Sequence, residues 1–407
     1  MKKVILLCTL SLLFGSCRMI KQIDFTLKAE RMAKKTEQTY HNNTKIPFLF
    51  NGQAVLIPCT INDSTKLVCY YSAMNVPGVH EFVCANSEFP KCNKTITLRI
   101  KNSDNQRIMV RSGLKYDHIK SDFFHLKNLL RVVESVSNDT VALPCKADEN
   151  SHFSLGKQIF LDKNNILLLS FSDTTITLYD TDNYDKTDFT FVHSLNTCRG
   201  IEVCLTVDSI EYQFVFDTGY EGSLSLPYHK EYRKWSLACN HIDWARACIQ
   251  YEKHQKADDL AVASFRKQTS SRVVMDTSIY QHTNTIALGN IESITSNIIY
   301  NKKNSTALMG MGFISHFDWI IDMYNGEIYV KQISTIDSFI NPYRVGIWDG
   351  KLQISSLPVW EKKYQLSSTI NSVNGIQVNE SNICQMRDLL NKENGFKENV
   401  IIVQEKN

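Results

Sequence analysis

Glycine and proline are scarce in this chain, 16 and 8 among 407 residues, which excludes collagen-like and low-complexity architectures. Net charge is nearly absent as well: 45 lysines and arginines face 42 aspartates and glutamates, with the two signs mixed along the chain. Such a balance lacks the basic stripe that nucleic acid requires, so the charges read as solvated surface and no nucleic-acid partner is expected. No HExxH and no paired CxxC occurs. The one Cys/His cluster, "CNHIDWARAC" at 239–248, is a poor zinc pattern, so neither a metal nor another cofactor is expected. The apolar run at the N-terminus, Val4 to Phe14, is about eleven residues and too short to span a bilayer.

That run has its own meaning. "MKKVILLCTLSLLFGSC" carries two lysines, the apolar stretch and then Gly15-Ser16-Cys17, the order of a cleaved secretory signal. Small residues before the cysteine resemble a bacterial lipobox, with Phe14 where Leu is usual. The resemblance implies a signal peptide over 1–17, a lipid anchor on Cys17, and a membrane-tethered protein of the bacterial cell envelope, on the periplasmic face or the surface. A plain secreted protein is the alternative. Export implies an oxidising compartment, and ten cysteines follow Cys17. Cys84/Cys92, Cys198/Cys204 and Cys239/Cys248 are spaced to close small loops. Apolar neighbours ("IPCT", "VCYY", "EVCL") suit buried free thiols equally, and spacing does not decide between them.

After the signal, residues 18–45 read as a polar tether with a basic, helical look. From Ile46 onward short runs rich in Val, Ile, Thr, Tyr and Phe alternate with Asn, Asp, Ser and Gly: "KTITLRI", "TTITLYD", "TDFTFVHS", "RGIEVCLTV", "YQFVFD", "RVVMDTSIY", "HTNTIALG" and "EIYVKQI". These predict strands and a mainly β fold. Helical signals are few, the better ones being "SDFFHLKNLLRVVES" and "HKEYRKWSLAC". Two segments look like copies, one from Leu155 and one from Met309, each running from glycine into an apolar strand, a polar turn and another strand. Each is preceded by a second matching part, "KLVCYYSAMNV" and "YQFVFDTGYEG". A repeat of about 150 residues predicts two similar lobes, over 46–185 and 190–335. A boundary near Asn341-Pro342 leaves a small β/α domain over 342–407.

Within the second lobe an apolar strand runs into Asp217-Thr218-Gly219. Peptide hydrolysis by carboxylates needs two of them sharing one proton, each on a tight loop at a strand end, followed by a small residue so that the backbones can approach. Asp-Thr alone says nothing, since it occurs five times here, but only one is followed by Gly. "ALMGMGFISHFDWIID" adds an apolar-apolar-Gly turn, Leu308-Met309-Gly310, of the kind that supports such an aspartate.

On these motifs the chain resembles aspartic peptidases of the retropepsin and pepsin type. It is most similar to bacterial envelope lipoproteins that join such a region to a C-terminal PDZ domain. The resemblance implies a two-lobed acid-protease β-barrel fold over residues 46–333, with Asp217 catalytic and Thr218 and Gly219 as its loop partners. It also implies a peptide or protein substrate. The tail's "TINSVNGIQV" and "ICQMRDLLNK" resemble the strand, turn and groove helix of a PDZ domain, a module that captures peptides by strand addition. Laid over Asp217-Thr218-Gly219, the first lobe offers Tyr71-Ser72-Ala73, and a phenol cannot share a proton as a second aspartate would. Within one chain the dyad is therefore missing. Three readings stay open: a peptidase activating water through Asp217, a catalytically inactive peptide binder, and a structural or carbohydrate-binding envelope protein. A homodimer pairing two copies of Asp217 is less favoured, because the first lobe already occupies that face.

Overall fold

The Val55–Ile61 strand buries Val55, Ile57 and Cys59 at every second position, the period-two signature of a strand with one face on a core. A computed structural model of the chain describes residues 37–40, 43–61, 65–73, 79–82, 95–101, 107–136, 153–155, 160, 166–179, 184–197, 200–227, 260–269, 272–301, 307–336, 341–348, 350–392 and 394–404. The protein is mainly β. Val55–Ile61 pairs antiparallel with Thr65–Tyr71, which runs parallel to Phe153–Leu155. The sheet continues antiparallel to Val79–Phe82, parallel to Phe124–Val136 and antiparallel to Arg107–Lys120. Lys120 and Ile119 return it to Thr60 and Ile61, closing a six-stranded barrel with no free edge in the circuit.

Residues 200–309 repeat that circuit strand for strand. Gly200–Val207 pairs with Ile210–Phe216, which runs parallel to Leu308–Met309. Leu224–Pro227, Ile291–Asn301 and Arg272–Leu288 follow in the same alternation of antiparallel and parallel neighbours. Thr206 and Val207 then close onto Ala287 and Ile286. The order of pairings matches the first barrel throughout, so the chain holds two copies of one topology.

A third sheet joins the copies. Each contributes a hairpin, Ile166–Ser170 with Thr175–Tyr179 and Phe317–Asp322 with Glu327–Gln332. The two meet antiparallel, Leu169 opposite Trp319 and Ile166 opposite Asp322. Lys45–Pro47 and Thr190–Val192 flank them at the two margins. Asp318 ties the halves together: its carboxylate accepts the N–H groups of Phe171 and Ser172 at 2.7 and 3.0 Å and the Ser172 hydroxyl at 2.6 Å. One apolar cluster runs through both barrels and this sheet.

Residues 341–404 have their own core, built from Val345, Leu352, Ile354, Ile370, Val373, Ile383, Met386, Leu390, Phe396 and others. The Asn374-Gly375 turn has positive φ at both positions, the geometry a two-residue hairpin needs between Ile370–Val373 and Ile376–Gln377. Ile383–Asn391 is the longest helix among the described residues. None of these helices is long and apolar enough to cross a membrane.

Three expectations change. "SDFFHLKNLLRVVES" is not a helix but most of the 13-residue strand Phe124–Val136, paired on both sides. Partners on two edges outweigh the helical spacing of its leucines, and Val132-Val133 suits a strand. Glu37–Tyr40, assigned to the tether, is a strand on the first barrel, pairing with Phe124–Lys127. "RVVMDTSIY" and "HTNTIALG" are one long strand, Arg272–Leu288. The helix expected at "HKEYRKWSLAC", the signal and Cys17 lie outside the described residues, as do Cys84, Cys92, Cys239 and Cys248.

Candidate active site

Asp217 stands at the end of Ile210–Phe216, where that strand leaves the sheet beside Leu308–Met309. Its N–H donates to the Met309 carbonyl at 2.9 Å, so the supporting strand fixes where the loop begins. The Gly219 N–H donates to the Asp217 carboxylate at 2.9 Å, aiming one oxygen. Beyond the aspartate the loop packs hard against the Leu308-Met309-Gly310 element. Gly310 N–H donates to Ser223 O at 2.8 Å, Met311 N–H to Tyr220 O at 2.7 Å and Gly312 N–H to Gly222 O at 3.1 Å. A Cβ on Gly310 would lie 2.3 Å from the Gly222 carbonyl oxygen and 2.4 Å from that of Tyr220, which no side chain allows.

The first barrel presents the matching corner. Tyr71 pairs with Leu155 as Phe216 pairs with Met309. The Ser72 N–H donates to Leu155 O at 2.9 Å, as Asp217 does to Met309. Tyr71 lies edge-on to Phe160, as Phe216 lies edge-on to Trp319. The register is therefore one residue on from the alignment read in the sequence: Ser72, not Tyr71, is the counterpart of Asp217, and Ala73 that of Thr218. Aligning tyrosine with aspartate matched two residues that both follow an aromatic or apolar strand. Only the parallel partner strand reveals which one leaves the sheet.

Thr218, fully buried, bridges the corners. Its hydroxyl donates to Tyr71 O at 2.8 Å and accepts the Ala73 N–H at 2.8 Å. Ala73 has no hydroxyl to return the contact, so the lock is one-sided. Ser72 is brought to the same small space as Asp217: a Cβ on Gly219 would sit 2.6 Å from Ser72 Oγ and 3.2 Å from Asp217 Oδ1. A residue larger than glycine at 219 would thus displace the serine hydroxyl.

No second carboxylate meets Asp217 among the described residues. Loss of hydration on burial pushes its carboxyl up to about 6, against the smaller opposing pull of the Gly219 N–H. Tyr71 does not substitute for an acid. It is wholly buried, desolvation holds its phenol well above the usual range, and its hydroxyl has no hydrogen-bond partner among the described residues. Sequence reading missed Tyr220 and Tyr280. Burial raises both phenols, and Tyr220, hydrogen-bonded to Ser225, feels Tyr280 and Asp217 in turn. Tyr220 adjoins the motif and was legible there, whereas Tyr280 is distant and carries no local signal.

Among the described residues no group of three His, Cys, Asp or Glu side chains could hold a metal ion. Cys59 and Cys69 are buried free thiols and Cys204 is a buried cysteine outside any disulfide, the second of the two states that spacing left open, whereas Cys384 is disulfide-bonded. Cys59 and Cys69 are 3.4 Å apart, and burial raises the Cys69 thiol. No family model and no curated protein matches the chain.

Proposed function

We propose that this chain is an acid-peptidase-like protein whose two barrel lobes hold an extended polypeptide between them, and that its lone carboxylate makes it a binder rather than a hydrolase. One observation carries this reading: Asp217 and Ser72 stand at equivalent corners of two copies of one topology, cross-linked by Thr218. A carboxylate pair at such a place would share one proton, the ionised member drawing on water and the protonated one donating to the carbonyl oxygen. Here a serine hydroxyl replaces the second member. It donates a hydrogen bond but no proton at useful pH.

A slow hydrolase is the second reading, favoured by the Asp217 carboxyl near 6. Ionised Asp217 would take a proton from water as that water attacks the peptide carbonyl. Ser72 Oγ–H would hydrogen-bond to the developing oxyanion, and Asp217 would return its proton to the leaving nitrogen. Lacking the second acid costs about 10²- to 10⁴-fold in rate. A dimer pairing two Asp217 residues is disfavoured, since the first lobe already takes the Thr218 hydroxyl and the joining sheet.

The remaining parts belong to the same proposal. The signal pattern supports export and a lipid anchor on Cys17 at the cell envelope, and a disulfide at Cys384 suits an oxidising compartment. The strand-turn-strand and helix of 370–391 support a PDZ-like unit. Peptide binding measured beside peptide cleavage tests the whole. Binding without turnover from pH 3 to 8 is the expected result. Turnover abolished by Asp217→Asn would establish the hydrolase instead, and neither binding nor turnover would refute both.

A further inference from the structure

The first barrel encloses two sulfur atoms in contact. Cys59 and Cys69 lie on the paired strands Val55–Ile61 and Thr65–Tyr71, where Ile57 stands opposite Cys69 and Cys59 opposite Leu67. The two cysteines are therefore diagonal neighbours across the pair, close enough for their side chains to meet. Burial at Val55, Ile57 and Cys59 on one strand, and at Cys69 and Tyr71 on the other, puts both on the core face. There the Cys59 thiol donates to Cys69 Sγ at 3.4 Å. Bonded sulfurs stand about 2.0 Å apart, so an approach of about 1.4 Å, shorter than a single C–S bond, would join them.

Neither sulfur takes part in the Asp217 corner, yet their strand leads to it. Thr65–Tyr71 ends shortly after Cys69, and Ser72 follows directly. From the second lobe Thr218 grips this corner through Tyr71 O and the Ala73 N–H. The first lobe has no equal grip to return: Ala73 carries no hydroxyl, and that of Tyr71 has no partner among the described residues. A covalent link between Cys59 and Cys69 would fasten the strand that presents Ser72 from inside its own barrel. The chain forms a disulfide elsewhere, at Cys384.

We propose that Cys59 and Cys69 form a structural disulfide that staples the strand pair leading to Ser72. The oxidant is a small-molecule or protein disulfide met while the chain folds. One cysteine thiolate attacks that disulfide, forming a mixed disulfide and releasing one thiolate. The other cysteine thiolate then attacks the mixed disulfide at its protein sulfur and releases the second. The cysteines give up two electrons and two protons, and the oxidant's disulfide takes them up as two thiols. In the folded barrel burial holds the Cys69 thiol well above its ordinary range, so the exchange belongs to the folding chain, and the closed bond is then shielded from reductant.

The test uses the full chain, unfolded and reduced, then refolded with glutathione and glutathione disulfide. After acid quenching and alkylation of the remaining thiols, trypsin and chymotrypsin cut after Lys66, Tyr71 and Phe82, which parts Cys59, Cys69 and Cys84 from one another. Only a disulfide can still join the Cys59 peptide to the Cys69 peptide. Mass spectrometry should find that linked pair, lost on reduction, in excess over any other partner of Cys59 by roughly tenfold, because touching thiols react at a high local concentration. Recovery of both cysteines as alkylated thiols overturns the inference, and so does predominant pairing of either with another cysteine. Reductant should also lower the melting temperature of the oxidised wild type by more than that of a Cys59→Ala/Cys69→Ala variant, in which only other disulfides respond. Equal shifts would mean that the bond fastens nothing, and the staple is then overturned.

Discussion

The hydroxyl of Thr218 touches the backbone on both sides of Ser72, donating to Tyr71 O and accepting from Ala73 N–H, each at 2.8 Å. The second lobe's loop thereby holds the first lobe's corner in place.

Removing that hydroxyl should loosen both lobes. Thr218→Val leaves a buried carbonyl and a buried N–H without partners, a cost of about 2–4 kcal/mol. Thr218→Ser keeps both bonds and should cost about 1 kcal/mol or less. Chemical denaturation of the two variants checks the difference, and a larger loss in Thr218→Ser than in Thr218→Val would mean that the methyl group, not the hydroxyl, matters.

Ser72→Asp should restore a carboxylate pair. Two carboxyls in one space cannot both ionise, so the variant should be most stable in acid and lose stability toward neutral pH. If the corner is that of an acid peptidase, the variant gains acid-optimal peptide cleavage sensitive to a pepstatin-like inhibitor. Ser72→Asn, the uncharged match, should show neither effect. The same substitution at Tyr71 should only disrupt the core, because that side chain points into it.

Asp217 should weaken the folded protein at neutral pH. Its carboxyl sits at about 6 when folded and at the ordinary 3.8 when unfolded, so the folded state binds the proton more tightly. Stability therefore falls as pH climbs from about 4 to about 6 and is level beyond. The full shift corresponds to about 3 kcal/mol, reduced to about 1–2 kcal/mol because Asp217 is only half-buried and solvent screens it. Asp217→Asn should thus raise the melting temperature at pH 7.5 and change it little at pH 4. A larger gain at pH 4 than at pH 7.5 would reverse this sign.

Tyr71→Phe should be neutral or stabilising by about 1 kcal/mol, since the lost hydroxyl has no partner among the described residues. The ring's edge-on contact with Phe160, at 5.2 Å, survives the change. A loss above about 2 kcal/mol would show that the hydroxyl is bonded in solution.

Much of this molecule is written locally. Strands such as Thr175–Tyr179 and Ile210–Phe216, the Asn374-Gly375 turn and the helix Ile383–Asn391 follow from side-chain period and turn residues within a few positions. Asp217-Thr218-Gly219 and its glycine support were legible for the same reason, because a tight loop needs small residues in one short stretch. The strand at Phe124–Val136 was misread, since its leucines suit either period and only its neighbours across the sheet choose.

By itself the sequence determined a β-rich chain with an internal repeat and one acidic motif, because periodicity and local sterics act over a few residues. Tertiary structure alone decided that Ser72 meets Asp217 and that the repeats close as two barrels. Those depend on strand register and on pairings between residues dozens of positions apart. A one-residue slip there exchanges every side chain between core and cleft.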